Sequence, residues 1–405
     1  MPKIGLGINV HQAAIERIEW TFDNFERIYI SYSGGKDSAV MLHLVMDEAI
    51  KRGRKIGMFL IDWENQITHT IDHIRDMYEL YKDHVEPYWV ALPITTWNAC
   101  SQIEPEWTAW DENKKELWVR QPDPMSITDK SVFPFYYDGI SFEEFVPLFG
   151  EWYAQGKECA CFVGIRADES LNRFRTIARD KDKKDGKAWT TSVIADVWNV
   201  YPIYDFKTAD IWRYFSKFNK PYNKLYDFMH QAGIKISQMR ICEPFGDEAR
   251  KGLWLYQVVD PAMWAKVCLR VAGANTGALY ATEKGAVMGN YSIDLPAGHT
   301  FESFAKHLLN TMPPKTSVHY KNKIAVYLNW WSKRGYDEGI PDKADKKIEA
   351  LGKVPSWRKV VKVILKNDYW CKGLGFSPTK SSAYNNYLEL MKRRRAEWNI
   401  QAIES

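Results

Sequence analysis

The sequence is 405 residues long, which exceeds the size that one hydrophobic core usually serves and predicts two domains. Hydrophobic residues make up 45% and charged residues 26%, the usage of an ordinary globular protein, and this excludes extensive disorder. The net charge of +4 is too small to argue by itself for a nucleic-acid partner.

The targeting and redox signals of the sequence favour the cytoplasm. No apolar run near the first residues reads as a signal peptide, and no stretch of 18 apolar residues predicts a membrane span. The six cysteines include no Cys-x-x-Cys pair, which argues against a disulfide scaffold and against a zinc knuckle. We therefore expect a cytoplasmic protein with reduced thiols and no membrane partner.

The first predicted elements are a helix, a strand, a tight loop and a second helix. Apolar residues recur every three or four positions over residues 11–25, which indicates an amphipathic helix. Residues 27–32 form a short β-rich run that ends at a pair of glycines. A second helical stripe begins at Asp37 and stops at Gly53.

Three more apolar runs predict further buried strands. They cover residues 55–61, 87–92 and 160–165, and a helical pattern over residues 68–84 separates the first two. Strands that alternate with helices imply right-handed crossovers, so we predict an α/β fold with a mostly parallel, doubly wound sheet. Ligands of such sheets collect beyond the carboxyl ends of the strands, where Asp62 would lie.

The C-terminal part of the chain has a different pattern. From about residue 246 the strand signals stop and helical stripes take over. We therefore predict an α/β domain over residues 1–245 and a mainly helical domain over residues 246–405.

The loop after the first strand has the composition of a phosphate site. Two glycines let the backbone curl closely around an anion, and a helix N-terminus attracts negative charge. Lysine adds a point charge, serines donate hydroxyl hydrogen bonds, and aspartate holds magnesium directly or through water. A simple turn is the alternative interpretation. The loop consists of Ser33, Gly34, Gly35, Lys36, Asp37 and Ser38. These residues do not have the Gly-x-x-x-x-Gly-Lys-Ser/Thr spacing of a Walker loop.

The run Ser-Gly-Gly-Lys-Asp-Ser resembles the PP-loop of the ATP pyrophosphatase superfamily, whose members cleave ATP between the α and β phosphates. Residues 59–66 and 164–173 resemble segments of the phosphoadenosine phosphosulfate reductase branch of that superfamily. Residues 201–206, 210–212 and 221–226 extend the resemblance, which covers roughly residues 25 to 245. It implies an adenine-nucleotide-binding domain that uses ATP and Mg²⁺.

Three downstream segments resemble the C-terminal domain of the YbdN/IbrA group, which pairs a reductase-like PP-loop domain with a domain of unknown function. These segments are residues 273–280, 339–342 and 366–371. The sequence departs from the reductases in one respect, because it lacks their Glu-Cys-Gly-Leu-His motif and their iron–sulfur cysteine pattern. We therefore expect no iron–sulfur cluster, and sulfonucleotide reduction stays as an alternative activity.

A second group of candidate residues follows the strand at 160–165. Guanidinium groups suit phosphate or carboxylate oxygens, so we expect this group to bind the substrate. An i,i+4 ion pair on a helix surface is the structural alternative. The group comprises Arg166, Glu169, Arg173 and, from a later segment, Arg240.

Two further positions are candidate contacts of the nucleotide, namely Asp62 and Gly164, although an aspartate at a strand end is often only a cap. Cys242 is either a nucleophile or a small buried residue. His69 and His73 have an i,i+4 spacing that can bind metal, but without a third ligand they indicate an exposed helix face. Residues 392–395 are basic and fit either a helix C-terminus or nucleic-acid phosphates.

These observations lead to one principal hypothesis and two alternatives. The principal hypothesis is an enzyme that transfers AMP from ATP to an unknown acceptor, with a base of nucleic acid as the first candidate. Lys36, Asp37 and Arg166 are the predicted catalytic residues, and Asp37 is the predicted magnesium ligand. One alternative is a non-catalytic nucleotide-sensing regulator that acts with a protein partner or nucleic acid, and the other is the reductase.

Overall fold

The computed structural model describes residues 7–101, 103–178, 182–194, 196–236, 239–241, 245, 253–275, 293 and 295–376. The predicted opening elements are present. Helix α1 spans Val10–Asn24, strand β1 spans Arg27–Ser31, and helix α2 spans Lys36–Lys51. The Asn9 side chain caps α1 by accepting a hydrogen bond from the backbone N–H of Gln12.

The strands after α2 are β2 (Ile56–Ile61), β3 (Val85–Val90), β4 (Ile94–Trp97), β5 (Glu106–Ala109), β6 (Cys159–Val163), β7 (Thr190–Ile194) and β8 (Val197–Val200). The predicted strands at 55–61, 87–92 and 160–165 are present as β2, β3 and β6, and the structure adds four strands that the sequence did not predict, β4, β5, β7 and β8. The helices are α3 (Thr68–Leu80), α4 (Phe142–Ala154), α5 (Leu171–Ala178), α6 (Thr208–Phe218) and α7 (Leu225–Gln231).

Six strands form one twisted sheet in the order β3-β2-β1-β6-β8-β7. All neighbouring pairs are parallel except β7 and β8, which are antiparallel. Strands β4 and β5 form a separate antiparallel pair. The mostly parallel α/β fold predicted from the sequence is therefore confirmed.

Alternate side chains of the central strands pack into two cores on opposite faces of the sheet. Ile28 and Ile30 of β1 contact the core under α1, α2, α3 and α6. Tyr29, between them, faces the other core with Phe149 of α4. Both faces are thus covered, which is the doubly wound arrangement that buried parallel strands require.

Beyond residue 246 the described elements are all helical. They are α8 (Trp254–Val259), α9 (Pro261–Arg270), α10 (Phe301–Thr311), α11 (Pro314–Ser332), α12 (Lys346–Ala350) and α13 (Trp357–Leu365). Helices α10, α11 and α13 share a core of their own that includes Tyr320, Ile324 and Val360. Helices α8 and α9 instead pack into the core of the α/β sheet, through residues such as Val267.

The helical region also touches the α/β region directly. The Asn367 side-chain amide donates a 3.0 Å hydrogen bond to the Ser101 carbonyl, and Tyr369 packs against Trp97 of β4. The domain boundary at residue 245 stays a prediction. Within the described residues, no helix is both long and apolar enough to cross a bilayer.

Candidate functional site

The loop between β1 and α2 depends on two glycines in different conformations. Gly34 has a φ of +71°, a left-handed value, and a Cβ built on it would lie 2.9 Å from Cγ2 of Thr70. Gly35 is extended, with a φ of −85°, and it is the N-cap of α2. The loop therefore turns at Gly34 and passes directly into the helix at Gly35.

The two serines of the loop are hydrogen-bonded to each other at the first turn of α2. The hydroxyl oxygens of Ser33 and Ser38 lie 2.9 Å apart, and the Ser38 hydroxyl also donates to the Gly35 carbonyl at 3.0 Å. The first-turn N–H groups of an α-helix have no partners within the helix, so those of α2 form an electropositive end at this loop.

Lys36 is anchored by residues from far along the chain. Its backbone N–H donates a 2.9 Å hydrogen bond to the Tyr226 hydroxyl, and its ammonium donates to the Met239 carbonyl at 2.9 Å. The ammonium also lies 3.1 Å from the Asp37 carboxylate. Lys36 is only 3% exposed, so its charge is held at the loop.

Asp37 lies between two cations. Its second carboxylate oxygen accepts a 2.5 Å hydrogen bond from Nε of Arg166. Arg166 is buried, and its guanidinium also reaches the Phe206 carbonyl at 3.4 Å. In this conformation Arg166 contacts Asp37, and it does not line the cavity described next.

A cavity of about 60 Å³ opens beside the loop. Sites for whole small molecules usually measure roughly 300–1,000 Å³, so this space suits a group of phosphate size. Its lining combines the loop with two arginines and a tyrosine. The lining residues are Ser33, Gly35, Lys36, Asp37, Ser38, Gly164, Glu169, Arg173, Tyr226, Arg240 and Ile241.

The predicted arginine group is assembled around Glu169. The Glu169 carboxylate lies 3.2 Å from Nε of Arg173 and 3.8 Å from Nε of Arg240. Arg240 also donates a 2.5 Å hydrogen bond to the Glu169 carbonyl. Helix α5 begins only at Leu171, so Glu169 precedes it. The i,i+4 ion pair of the structural alternative is present, and all three side chains also line the cavity.

Gly164 forms the wall opposite the helix start. It directly follows β6, and a Cβ built on it would lie 2.8 Å from Cα and 3.0 Å from N of Ser38. Backbone atoms cannot give way as a flexible side chain can. Glycine at this position therefore allows the end of β6 to contact the first turn of α2.

The structure does not bring Asp62 to this cavity. Asp62 is 1% exposed, and its carboxylate accepts hydrogen bonds from Nε1 of Trp89 at 2.8 Å and from Arg120 at 2.5 Å. It also accepts from the backbone N–H of Glu64 at 2.9 Å. These contacts make Asp62 the centre of an internal polar network after β2.

Two carboxylates line the cavity among the described residues, Asp37 and Glu169, and Glu169 is paired with Arg173 and Arg240. No cluster of three His, Cys, Asp or Glu side chains suited to a metal occurs among the described residues. Magnesium is commonly bound by one or two carboxylates together with phosphates of the substrate. The donor set around Asp37 therefore fits magnesium that arrives with a nucleotide.

Several residues of the site were not singled out from the sequence. Tyr226 and Ile241 line the cavity, and the Asn223 amide donates to the Gly34 carbonyl at 3.0 Å. The only sequence signal for Tyr226 and Asn223 was that both lie in residues 221–226, one of the segments of family resemblance.

Other sequence-based expectations have mixed outcomes. His73 is 5% exposed, so the expected exposed face for the His69–His73 pair is wrong. His73 lies on α3 between Thr70 and Met77, on the side that packs against the sheet. Cys242 and residues 392–395 lie outside the described residues.

Two family models match successive parts of the chain. A family model described as the phosphoadenosine phosphosulfate reductase domain matches residues 27–232. A model described as a domain of unknown function, DUF3440, matches residues 233–340 and 336–385. The uncharacterized protein YbdN of Escherichia coli strain K12 is 47% identical over 402 residues, which cover 98% of each chain.

Two solved structures are also similar in part. The phosphoadenylyl-sulfate reductase of Candida auris, in a phosphate complex, is 14% identical with a TM-score of 0.32. The match covers 56% of this chain and 93% of that chain. The FMN adenylyltransferase of Candida glabrata, with FMN and the ATP analog AMPCPP, is 15% identical with a TM-score of 0.32 and coverages of 55% and 62%.

Proposed function

We propose that this chain, which belongs to the phosphoadenosine phosphosulfate reductase domain family and carries a DUF3440 domain after it, is an ATP-using PP-loop enzyme. It would bind ATP with Mg²⁺ and transfer AMP to an acceptor, with a nucleic-acid base as the first candidate. The observation that carries the proposal is the cavity of phosphate size between the loop at 33–38 and Arg173 and Arg240.

The positive groups of the cavity suit the β and γ phosphates. Lys36 contributes a buried ammonium, the first turn of α2 contributes N–H groups, and Arg173 and Arg240 contribute guanidinium forks. An acceptor oxygen would attack the α phosphorus, and the bond between that phosphorus and the oxygen that bridges the α and β phosphates would break, so that pyrophosphate leaves. The charge that develops on the departing pyrophosphate would then be stabilised by these fixed cations.

Asp37 would hold magnesium once ATP is bound, which requires its carboxylate to exchange the Lys36 contact for the metal. Magnesium would neutralise charge on the phosphate oxygens. Arg166 would keep the carboxylate oriented through its 2.5 Å hydrogen bond. We therefore assign Arg166 a positioning role through Asp37, which refines the substrate contact expected from the sequence.

Sulfonucleotide reduction is less well supported than AMP transfer, because reduction would need a reactive cysteine at the site. Among the described residues, no cysteine lines the cavity. Burial raises the pKa of the Cys161 thiol to about 12 and that of the Cys371 thiol to about 12, so neither is a thiolate at neutral pH. Incubation with phosphoadenosine phosphosulfate and thioredoxin is expected to release no sulfite.

The decisive experiment follows the fate of ATP labelled in its α phosphate. With Mg²⁺ and a panel of acceptors that includes single-stranded oligonucleotides and small acids, we expect pyrophosphate release and transfer of the label to one acceptor. Release of ADP in place of pyrophosphate contradicts the proposed reaction. Tight ATP binding without pyrophosphate release, together with an ATP-dependent change in a partner, would support the regulator instead.

A further inference from the structure

A second cavity lies in the helical region, far larger than the one at the loop. It has a volume of about 760 Å³, within the range of roughly 300–1,000 Å³ of sites for whole ligands. We call it the C-terminal cleft. Its lining residues that matter here are Arg175, Trp330, Lys359, Lys362, Lys366 and Lys372.

The C-terminal cleft is strongly positive. Among the residues that the structure describes, six cations line it, namely those five basic residues and Lys346, against two acids, Glu349 and Asp368. Both acids are occupied by the protein itself. Glu349 accepts hydrogen bonds from Ser356 and Arg358, each at 2.7 Å, and Asp368 accepts from backbone N–H groups at 3.0 and 2.7 Å.

The lysines of α13 are crowded together. Burial is the largest cause that lowers the pKa of Lys359; the Glu349 carboxylate raises that pKa, and Arg175 lowers it. Burial also lowers the pKa of Lys362, again against the raising effect of Glu349 and with a further lowering by Arg358, Lys366 and Lys346. Glu349 thus offsets part of the repulsion among these like charges, and a bound anion would offset more of it.

The cations are arranged as a row. Lys359, Lys362 and Lys366 are three and four residues apart, so they lie on one side of α13 and its C-cap. At about 1.5 Å per residue the row extends over roughly 10 Å. Sites for single-stranded nucleic acid use a positively charged groove that follows the backbone over several nucleotides. A row of this length therefore suits a repeated anion better than a single small one.

An aromatic ring, that of Trp330, lines the same cleft. Trp330 is 46% exposed although it is a large apolar residue. The Arg334 guanidinium lies 3.7 Å from the centre of the Trp330 ring, and the Trp331 ring stands edge-on at 4.7 Å. A ring supported in this way is a platform on which a base can stack.

One short helix connects the two cavities. Arg173 of α5 lines the loop cavity, whereas Arg175 of the same helix lines the C-terminal cleft. Residues two positions apart on an α-helix point about 200° apart, to opposite sides. A ligand in the cleft would therefore lie against the helix that also forms the wall of the loop cavity.

We propose that the C-terminal cleft binds single-stranded nucleic acid, with phosphates on the lysine row and a base stacked on Trp330. The site is separate from the loop cavity and needs no ATP. Its failure in a binding assay would therefore leave the proposed ATP chemistry standing, and the reverse also holds.

The test uses the full chain and a fluorescent 12-nucleotide single strand, with anisotropy measured between 50 and 200 mM salt. Trp330→Leu is expected to weaken binding about tenfold, the scale of losing one stacked base. The double variant Lys362→Gln/Lys366→Gln is expected to make the negative slope of log K against log salt shallower by about 1.4. Each phosphate contact on a single strand contributes about −0.7 to that slope.

Matched controls keep the test specific. Lys315→Gln/Lys321→Gln removes the same charge from exposed positions of α11, and Phe218→Leu truncates an exposed ring on α6. Both controls should bind as the unchanged protein does. The proposal is overturned if the protein does not bind the strand, if the cleft variants match their controls, or if AMP competes as strongly per molecule as the oligonucleotide does.

Discussion

The backbone N–H of Lys36 is hydrogen-bonded to the hydroxyl of Tyr226, 190 residues further along the chain, at 2.9 Å. Tyr226→Phe would remove the acceptor and leave that buried N–H without its partner. We expect the free energy of unfolding to fall by about 1–3 kcal/mol, the cost of an unsatisfied buried donor. Urea denaturation measures the difference directly.

Tyr222→Phe is the matched control for this change. Its hydroxyl donates to Asp227 at 2.8 Å on a partly exposed surface, where water can replace the contact. The control should change the free energy of unfolding by less than about 1 kcal/mol. Equal losses in the two variants would show that Tyr226 does not hold the loop as described.

The pair of Asp37 and Arg166 predicts a combined loss of stability and turnover. Asp37→Asn leaves Arg166, which is 2% exposed, facing Lys36 without the carboxylate between them. Breaking a buried ion pair from one side costs about 3–5 kcal/mol. We expect a loss near the lower end, because Asp37 is partly exposed, and a fall in pyrophosphate release of about 100-fold or more.

Arg166→Lys tests the orientation of the carboxylate separately from its charge. A lysine keeps the positive charge but loses the planar fork that contacts Asp37 and the Phe206 carbonyl. ATP should still bind, while pyrophosphate release falls. The exposed pair of Lys82 and Glu79 supplies the control, since Lys82→Ala removes a fully solvated charge and should leave stability and pyrophosphate release close to those of the unchanged protein. Full turnover in Arg166→Lys would remove its positioning role.

Two buried histidines predict how stability depends on pH. Burial lowers the pKa of His43 to about 4 and that of His73 to about 4, below the unfolded value of 6.5. The unfolded chain therefore takes up protons between pH 6.5 and 4 that the folded chain does not. This contribution to stability is fully present above pH 6.5 and is lost as pH falls toward 4.

His73→Leu isolates one of these two groups. The Nε2 atom of His73 is buried without a hydrogen-bond partner, so leucine removes the titration without breaking a bond of that atom. The variant should lose less stability than the unchanged protein between pH 6.5 and 4, by on the order of 2 kcal/mol. His230→Leu, at an exposed position, is the surface control for exchanging a histidine for leucine. Parallel curves for His73→Leu and the unchanged protein would contradict the buried neutral histidine.

The sequence was most informative where a local pattern decides the structure. A β-rich run predicted β1, a period-3.6 apolar stripe predicted α2, and continuous apolar runs predicted further strands of the parallel sheet, because strands covered on both faces are apolar throughout. The loop at 33–38 was also predicted from a local pattern, since its glycines and helix start are neighbours in the chain. Of the predicted group of Arg166, Glu169, Arg173 and Arg240, the last three lie together, whereas Arg166 contacts Asp37 instead.

What a local pattern could not reveal was the choice of distant partners. Lys36 contacts Tyr226 and the Met239 carbonyl, which are roughly 200 residues away, and no periodicity encodes that approach. Asp62 is bound by Arg120 from an irregular segment, which turns a residue at a strand end into part of an internal network. These contacts depend on how the connections between elements fold back on the sheet.

The phosphate site itself is tested most directly by calorimetry of ATP with Mg²⁺ on Gly35→Val. A Cβ on Gly35 would lie 3.4 Å from Oγ of Ser33 and 3.5 Å from both the Ile241 carbonyl and the Tyr226 hydroxyl, which are ordinary contacts with atoms of the cavity lining. The fold should therefore tolerate the change, whereas Gly34→Ala, at a φ of +71°, should destabilise it. We expect Gly35→Val to melt close to the unchanged protein and to lose ATP affinity by about 100-fold or more, with Gly35→Ala intermediate. Undiminished ATP affinity in folded Gly35→Val would contradict the placement of the phosphates at this loop.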